Sequence, residues 1–239
     1  MPKKSYRNKG SKKNIVISIA GVHGVGKTTI FNLLKKKLED NNKFKFYRER
    51  YIKNPPFPFG SSNKQVAFRS EMHFLQQFIR RNRSIRNYCN RYNGRILIMD
   101  RTPTCVLIYS KALFLKEKDY HLIFDLYNSV KWREDYIIYL IAEPETILKR
   151  TIQRGSLDKQ RKYWNEDEKE YLLNVLSFYN QFLVNEKSEN ELSIINTEDL
   201  VPNQVLRQIK KIITKLTEFS FKEQVETAST QTKILKFLD

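Results

Sequence analysis

Cysteine, acid and long apolar runs are all in short supply in this chain, and each shortage excludes something. The two cysteines, Cys89 and Cys105, are too few for a disulfide framework and too far apart for a paired-thiol motif. No apolar stretch approaches the roughly 18 residues that a membrane-spanning helix needs. The Lys-rich start is not followed by a signal-peptide core with a small-residue cleavage site. A soluble, cytoplasmic protein is the expectation. Acidic residues number 26 against 44 Lys and Arg, leaving a formal charge of +18, which raises nucleic acid as a partner. Part of that excess is local. Residues 2–14 carry Lys3, Lys4, Arg7, Lys9, Lys12 and Lys13 with no acid and almost no apolar content, so 1–13 reads as a disordered basic tail. The rest is spread over predicted helices and does not decide a function.

What is present is an alternation. With 239 residues the chain is long enough for one α/β domain and short for two. A β-branched run at 14–19 leads into a glycine-rich turn, and 27–38 then spaces Ile30, Leu33, Leu34 and Leu38 as a helix does. Residues 43–47 alternate as a second strand, while Pro55, Pro56, Pro58 and Gly60 make 54–63 a loop. A long helix is predicted over 64–92, with Phe68, Met72, Leu75 and Ile79 on one face. Strands follow at 95–99, 136–141 and 192–195, separated by helices at 103–115, 119–130, 144–153 and 167–186. A last helix covers 203–216, and 217–239 reads as a peripheral segment. Strands alternating with helices imply an α/β fold with a parallel sheet covered on both faces, one domain spanning 14–216.

Four stretches carry chemistry. Gly21, Val22, His23, Gly24, Val25, Gly26, Lys27 and Thr28, with Thr29 next, fit the phosphate-binding loop G-x-x-x-x-G-K-(S/T), placed between a predicted strand and a predicted helix. Its glycines let backbone N–H groups turn toward phosphates, and the helix adds its positive end. Lys27 would reach the β- and γ-phosphates of ATP, Thr28 would ligate magnesium, and His23 would contribute only its backbone. Next, the apolar strand ending at Asp100-Arg101 reads as a magnesium-holding carboxylate followed by a basic residue, or else as a strand-end Asp pairing with its neighbours. Arg150 and Arg154, four apart on one helix face with Arg161 and Lys162 beyond, would balance the charge of a phosphoryl group in flight, or form a solvated basic face. Finally, Arg48-Glu49-Arg50 offers a carboxylate to take a proton from an acceptor hydroxyl, or an ordinary surface ion pair.

In this order the motifs resemble the family that contains deoxynucleoside kinases and thymidylate kinases, over roughly 14–216. The resemblance rests on Gly-Val-His-Gly-Val-Gly-Lys-Thr-Thr, on Asp100-Arg101-Thr102, on Tyr139-Leu140-Ile141-Ala142-Glu143-Pro144-Glu145 leading to Leu148-Lys149-Arg150 and Arg154-Gly155, and on Glu170-Tyr171-Leu172. It implies a P-loop three-layer sandwich with a five-stranded parallel sheet, ATP as donor, magnesium, and commonly a homodimer. It also implies Glu49 as general base, a magnesium and substrate contact at Asp100-Arg101, and a lid carrying Arg150 and Arg154. The acceptor pocket would lie under the helix 64–83, with Phe68, Phe74 and Phe78 as stacking rings and Gln76 or Gln77 as base readers. The acceptor is then a deoxynucleoside, or alternatively dTMP or another nucleoside monophosphate held by Arg48, Arg50 and Arg69. From a different class, a nucleic-acid-linked P-loop ATPase stays open.

Overall fold

The computed structural model describes residues 13–49, 61–155 and 168–221, with the side chains of Arg154 and Gly155 left aside. Residues 1–12 of the expected tail, 54–60 of the Pro-rich loop, Arg50, Arg161 and Lys162 therefore lie outside the described residues. Five strands form one parallel sheet: β1 (Ile15–Ala20), β2 (Phe44–Tyr47), β3 (Ile96–Asp100), β4 (Tyr136–Ile141) and β5 (Leu192–Asn196), in the order β2-β3-β1-β4-β5. Among the described residues seven α-helices flank them: α1 (Lys27–Leu38), α2 (Lys64–Arg91), α3 (Cys105–Ala112), α4 (Glu117–Asn128), α5 (Pro144–Gly155), α6 (Lys169–Tyr179) and α7 (Pro202–Thr217).

The sheet is buried because its strands are apolar on both sides. Val16, Leu97 and Met99 pack with Ile85 of α2, whereas Ile17, Ile19, Ile96 and Ile98 join the larger core with Ile30, Phe31 and Leu34 of α1 and Ile209 and Ile213 of α7. Helix boundaries follow local chemistry. The Asn63 side chain accepts from the N–H groups of Gln65 (3.0 Å) and Val66 (3.3 Å) and so starts α2. Proline stands at the first position of α5 and of α7.

Three expectations are adjusted. The helix foreseen over 167–186 is α6 followed by one π-turn, Asn180–Val184. The buried face of α2 is Ala67, Ser70, Glu71, Leu75, Phe78, Asn82 and Ile85; Phe68, Met72 and Ile79 are only partly buried beside it. The segment after Thr217 begins by folding back, with Phe219 edge-on to Phe44 at 4.9 Å and Phe221 edge-on to Phe219 at 4.9 Å.

Candidate active site

The site forms where β1, β2 and β3 end together. Parallel pairing sets Ile19 beside Asp100 and Tyr47 beside Met99. Two residues past each of that last pair, Glu49 and Arg101 fall side by side, with Arg101 Nε 2.8 Å from Glu49 Oε2. This is a charge contact rather than an aligned hydrogen bond, since the Nε–H finds no acceptor along its axis. The partner of Glu49 is thus a residue 52 positions away, not the adjacent Arg48, which is exposed.

The loop from Gly21 to Lys27 leaves β1 and enters α1. Gly21 has φ 140°, and a Cβ there would lie 2.6 Å from the carbonyl oxygen of Leu140. Gly26, at φ 107°, heads α1 in a left-handed conformation with nothing within 4 Å of its would-be Cβ, so the cradle is open where phosphates would enter. Lys27 is buried, and its Nζ donates to the carbonyl of Val22 at 2.7 Å. Burial first, and then the Arg101 charge, draw its pKa down to about 7, with Asp100 and Glu49 opposing. Thr28 and Thr29 are exposed at the loop's rim. The His23 ring, expected to be a bystander, lies parallel to that of Tyr171 on α6 at 6.1 Å.

Asp100 is 2% exposed, and its Oδ1 has no hydrogen-bond partner. Burial, followed by the charge of Glu49, raises its pKa. A buried, unpartnered carboxylate oxygen beside a lysine and an open phosphate cradle fits a divalent cation. Among the described residues no group of three His, Cys, Asp or Glu could hold a metal without help.

Three further residues join the site without having been expected. Glu71 is 4% exposed on the inner face of α2; burial raises its pKa to about 8, and Arg101 partly offsets this. Arg81 donates from its two terminal nitrogens to the carbonyls of Asp100 and Arg101, 2.7 Å each. Glu134, just before β4, accepts from the hydroxyls of Ser18 and Thr102. No apolar pattern marks Glu71 on the buried stripe of α2 or the half-buried Arg81 beside it, and none marks Glu134.

Other expected residues stand elsewhere. Arg150 does not reach the Lys27–Asp100 cluster: its guanidinium donates to Thr197 Oγ1 (3.1 Å) and to the carbonyls of Thr197 (2.9 Å) and Glu198 (3.3 Å), which binds α5 to the β5–α7 connection. Gln76 and Arg69 are exposed. Gln77 turns its Oε1 inward without a partner. Phe78 is buried beneath the Arg81 guanidinium, 4.6 Å from its ring centre.

Comparison with known proteins agrees with this geometry. Residues 17–220 match the deoxynucleoside kinase family. A deoxyadenosine/deoxycytidine kinase of Bacillus subtilis (strain 168) is 26% identical over 210 residues, 84% of this chain and 94% of the relative. A structure of deoxyadenosine kinase from M. mycoides with bound dATP superposes with a TM-score of 0.67 at 22% identity, covering 83% of this chain and 98% of that one, which shows the shared fold. A structure of the same enzyme with bound dCTP gives 0.59 at 26% identity over 86% and 100%. The matches favour the deoxynucleoside side of the resemblance over the thymidylate side. The chain belongs to the deoxynucleoside kinase family and is an ATP-dependent kinase that phosphorylates nucleosides.

Proposed function

We propose that the chain transfers the γ-phosphoryl group of ATP to the 5′-hydroxyl of a deoxynucleoside bearing adenine or cytosine, with Glu49 as the general base. The observation that carries this reading is the Glu49–Arg101 contact of 2.8 Å at the strand ends that also present Asp100 and the phosphate loop. Phosphoryl transfer asks mainly for position and compensating charge. Lys27 and the loop N–H groups supply these on the donor side, and Arg101 on the acceptor side. Asp100 and the exposed Thr28 hydroxyl would hold magnesium together with the phosphates, and the ion would neutralise their charge. Arg154, one turn beyond Arg150 on α5, keeps the role of lid arginine. Arg150 acts instead on the β5–α7 connection.

Glu71 supports the base preference. With a pKa near 8 its carboxyl is protonated at neutral pH, presenting one O–H donor and one carbonyl acceptor. That pair complements a ring nitrogen next to an amino group, the edge shared by adenine and cytosine. An ionised carboxylate accepts only, and would suit guanine. The name of the Bacillus subtilis relative points to the same two bases.

The test is ATP consumption against deoxynucleosides, ribonucleosides and monophosphates with magnesium present. Turnover is expected with deoxyadenosine or deoxycytidine above the other acceptors, and Glu49→Gln should lower kcat by about 10²- to 10⁴-fold while ATP still binds. Turnover confined to monophosphates, or an unchanged Glu49→Gln enzyme, would sink the reading.

A further inference from the structure

The turn that carries Arg101 is held in a conformation its side chain disfavours. Arg101 has φ 69°, in the left-handed region that non-glycine residues seldom adopt. Something must over-determine it, and the contacts around residues 100–102 show what does. The Arg101 N–H donates to the carbonyl of Ile19 at 3.1 Å, which fixes the entry. Arg81 forks onto two successive carbonyls, those of Asp100 and Arg101. The Thr102 hydroxyl donates to Glu134 Oε2 at 3.0 Å and accepts the N–H of Thr104 at 3.2 Å, which fixes the exit. Glu134 Oε1 takes the Ser18 hydroxyl from β1.

Glu134 is itself well anchored. Its neighbour Asp135 accepts the N–H of Val16 at 2.8 Å and donates its own N–H to the Val16 carbonyl at 2.9 Å. Its other neighbour, Arg133, pairs with Asp135 and reaches the carbonyl of Asn14 at 3.0 Å. Both flanking side chains are therefore tied along β1, which leaves Glu134 directed at Ser18 and Thr102. Its carboxylate also lies within the electrostatic reach of Arg81, the cation that holds the two carbonyls. Nothing in the transfer chemistry requires a carboxylate here, since Glu134 meets neither the phosphate loop nor Glu49.

We infer that Glu134 is a positioning residue: through Thr102, and through the charge it offers Arg81, it locks the Asp100–Arg101–Thr102 turn so that the Arg101 guanidinium meets Glu49. This rests on the proposed part of Arg101 in the transfer. A residue that merely satisfied a polar core would affect stability alone. A positioning residue affects turnover, and only while Arg101 is there to be positioned.

A double-mutant cycle with thermal unfolding alongside separates these cases. Glu134→Gln keeps the side chain's shape, and hydroxyls can reverse to suit an amide, so it removes mainly the charge. It should lower kcat by about 10- to 100-fold and leave KM for ATP within about twofold, because the phosphate loop is untouched. Arg101→Ala should lower kcat by about 10²- to 10³-fold. Adding Glu134→Gln to Arg101→Ala should then cost less than about twofold more. Thr102→Val, which removes only the hydroxyl, should repeat the cycle, and it carries the test if Glu134→Gln does not fold. Losses that multiply in the double variants, or a folded Glu134→Gln enzyme with wild-type kcat, would overturn the inference. Wild-type turnover by Arg101→Ala would overturn the role of Arg101 itself, and this inference with it.

Discussion

Arg81 and Arg83 stand two positions apart on α2 and have opposite surroundings. Arg81 turns inward, where both of its terminal nitrogens are taken up by the carbonyls of Asp100 and Arg101. Arg83 is exposed, and with Arg86, Asn87, Asn90 and Lys131 it lines an open cleft of about 470 Å³ at the far end of the helix. The two regions carry the same kind of charge, yet only one has structure built around it. Inside, each cation answers an acceptor or a carboxylate: Arg81 the turn carbonyls, Arg101 Glu49, Lys27 the Val22 carbonyl. In the far cleft the cations face water. An excess of +18 says little about function until it is divided in this way.

The largest effect that would break the comparison belongs to Arg81. Arg81→Ala leaves two inward carbonyls without a donor and Glu134 without its nearby cation, a loss of about 2–5 kcal/mol. For a domain of this size that lowers Tm by on the order of 10 °C. Arg83→Ala should shift stability by less than about 0.5 kcal/mol. Calorimetric unfolding of both variants is the check, and equal shifts would erase the distinction.

A smaller effect sharpens the inner half of the comparison and is read by pH. Lys27 has a pKa of about 7 in the free protein, lowered by burial and by Arg101. A bound triphosphate requires the ammonium form. Below about pH 7 that form is already present, and binding needs no proton. Above pH 7 the free protein holds neutral Lys27 and must take up a proton to bind, so ATP affinity should fall by up to about tenfold per pH unit. Direct titration of ATP at pH 6.5, 7.5 and 8.5 reads this, and a flat profile would contradict it.

How much of this was legible beforehand follows from what each residue depends on. The phosphate loop is a contiguous string whose spacing carries its mechanism, so Gly21 to Thr28 could be read directly. The five strands were also visible, β2 by its alternation and the others as short, largely apolar runs. Pairing was not. That Glu49 meets Arg101 follows from β2 lying beside β3, a fact of sheet order across a 28-residue helix. Glu71 and Arg81 escaped because the large apolar residues of α2, Phe68, Met72 and Ile79, suggest one face. The buried stripe is turned from it and admits Glu71 and Asn82, charge and amide that no apolar pattern reveals. Glu134 depends on three separate parts of the chain at once: β1, the turn after β3, and α2.

The smallest expected effect tests whether the far cleft does anything in the transfer. Replacing Arg83, Arg86 and Lys131 together by Ala removes three positive charges from its lining. All three are exposed, and surface charges far from a site act through a field that salt screens within about 8–10 Å. Turnover in ~0.15 M salt should therefore stay within about twofold of wild type. At ~0.01 M salt the screening length grows to about 30 Å, and the net charge then reaches a triphosphate as it approaches. The triple variant should there show a modest rise in KM for ATP with kcat unchanged, and the rise should vanish as salt is restored. A change in kcat, or one that salt does not abolish, would mean that the cleft communicates with the strand ends through structure. The split between working and solvated cations on α2 would then have to be drawn elsewhere.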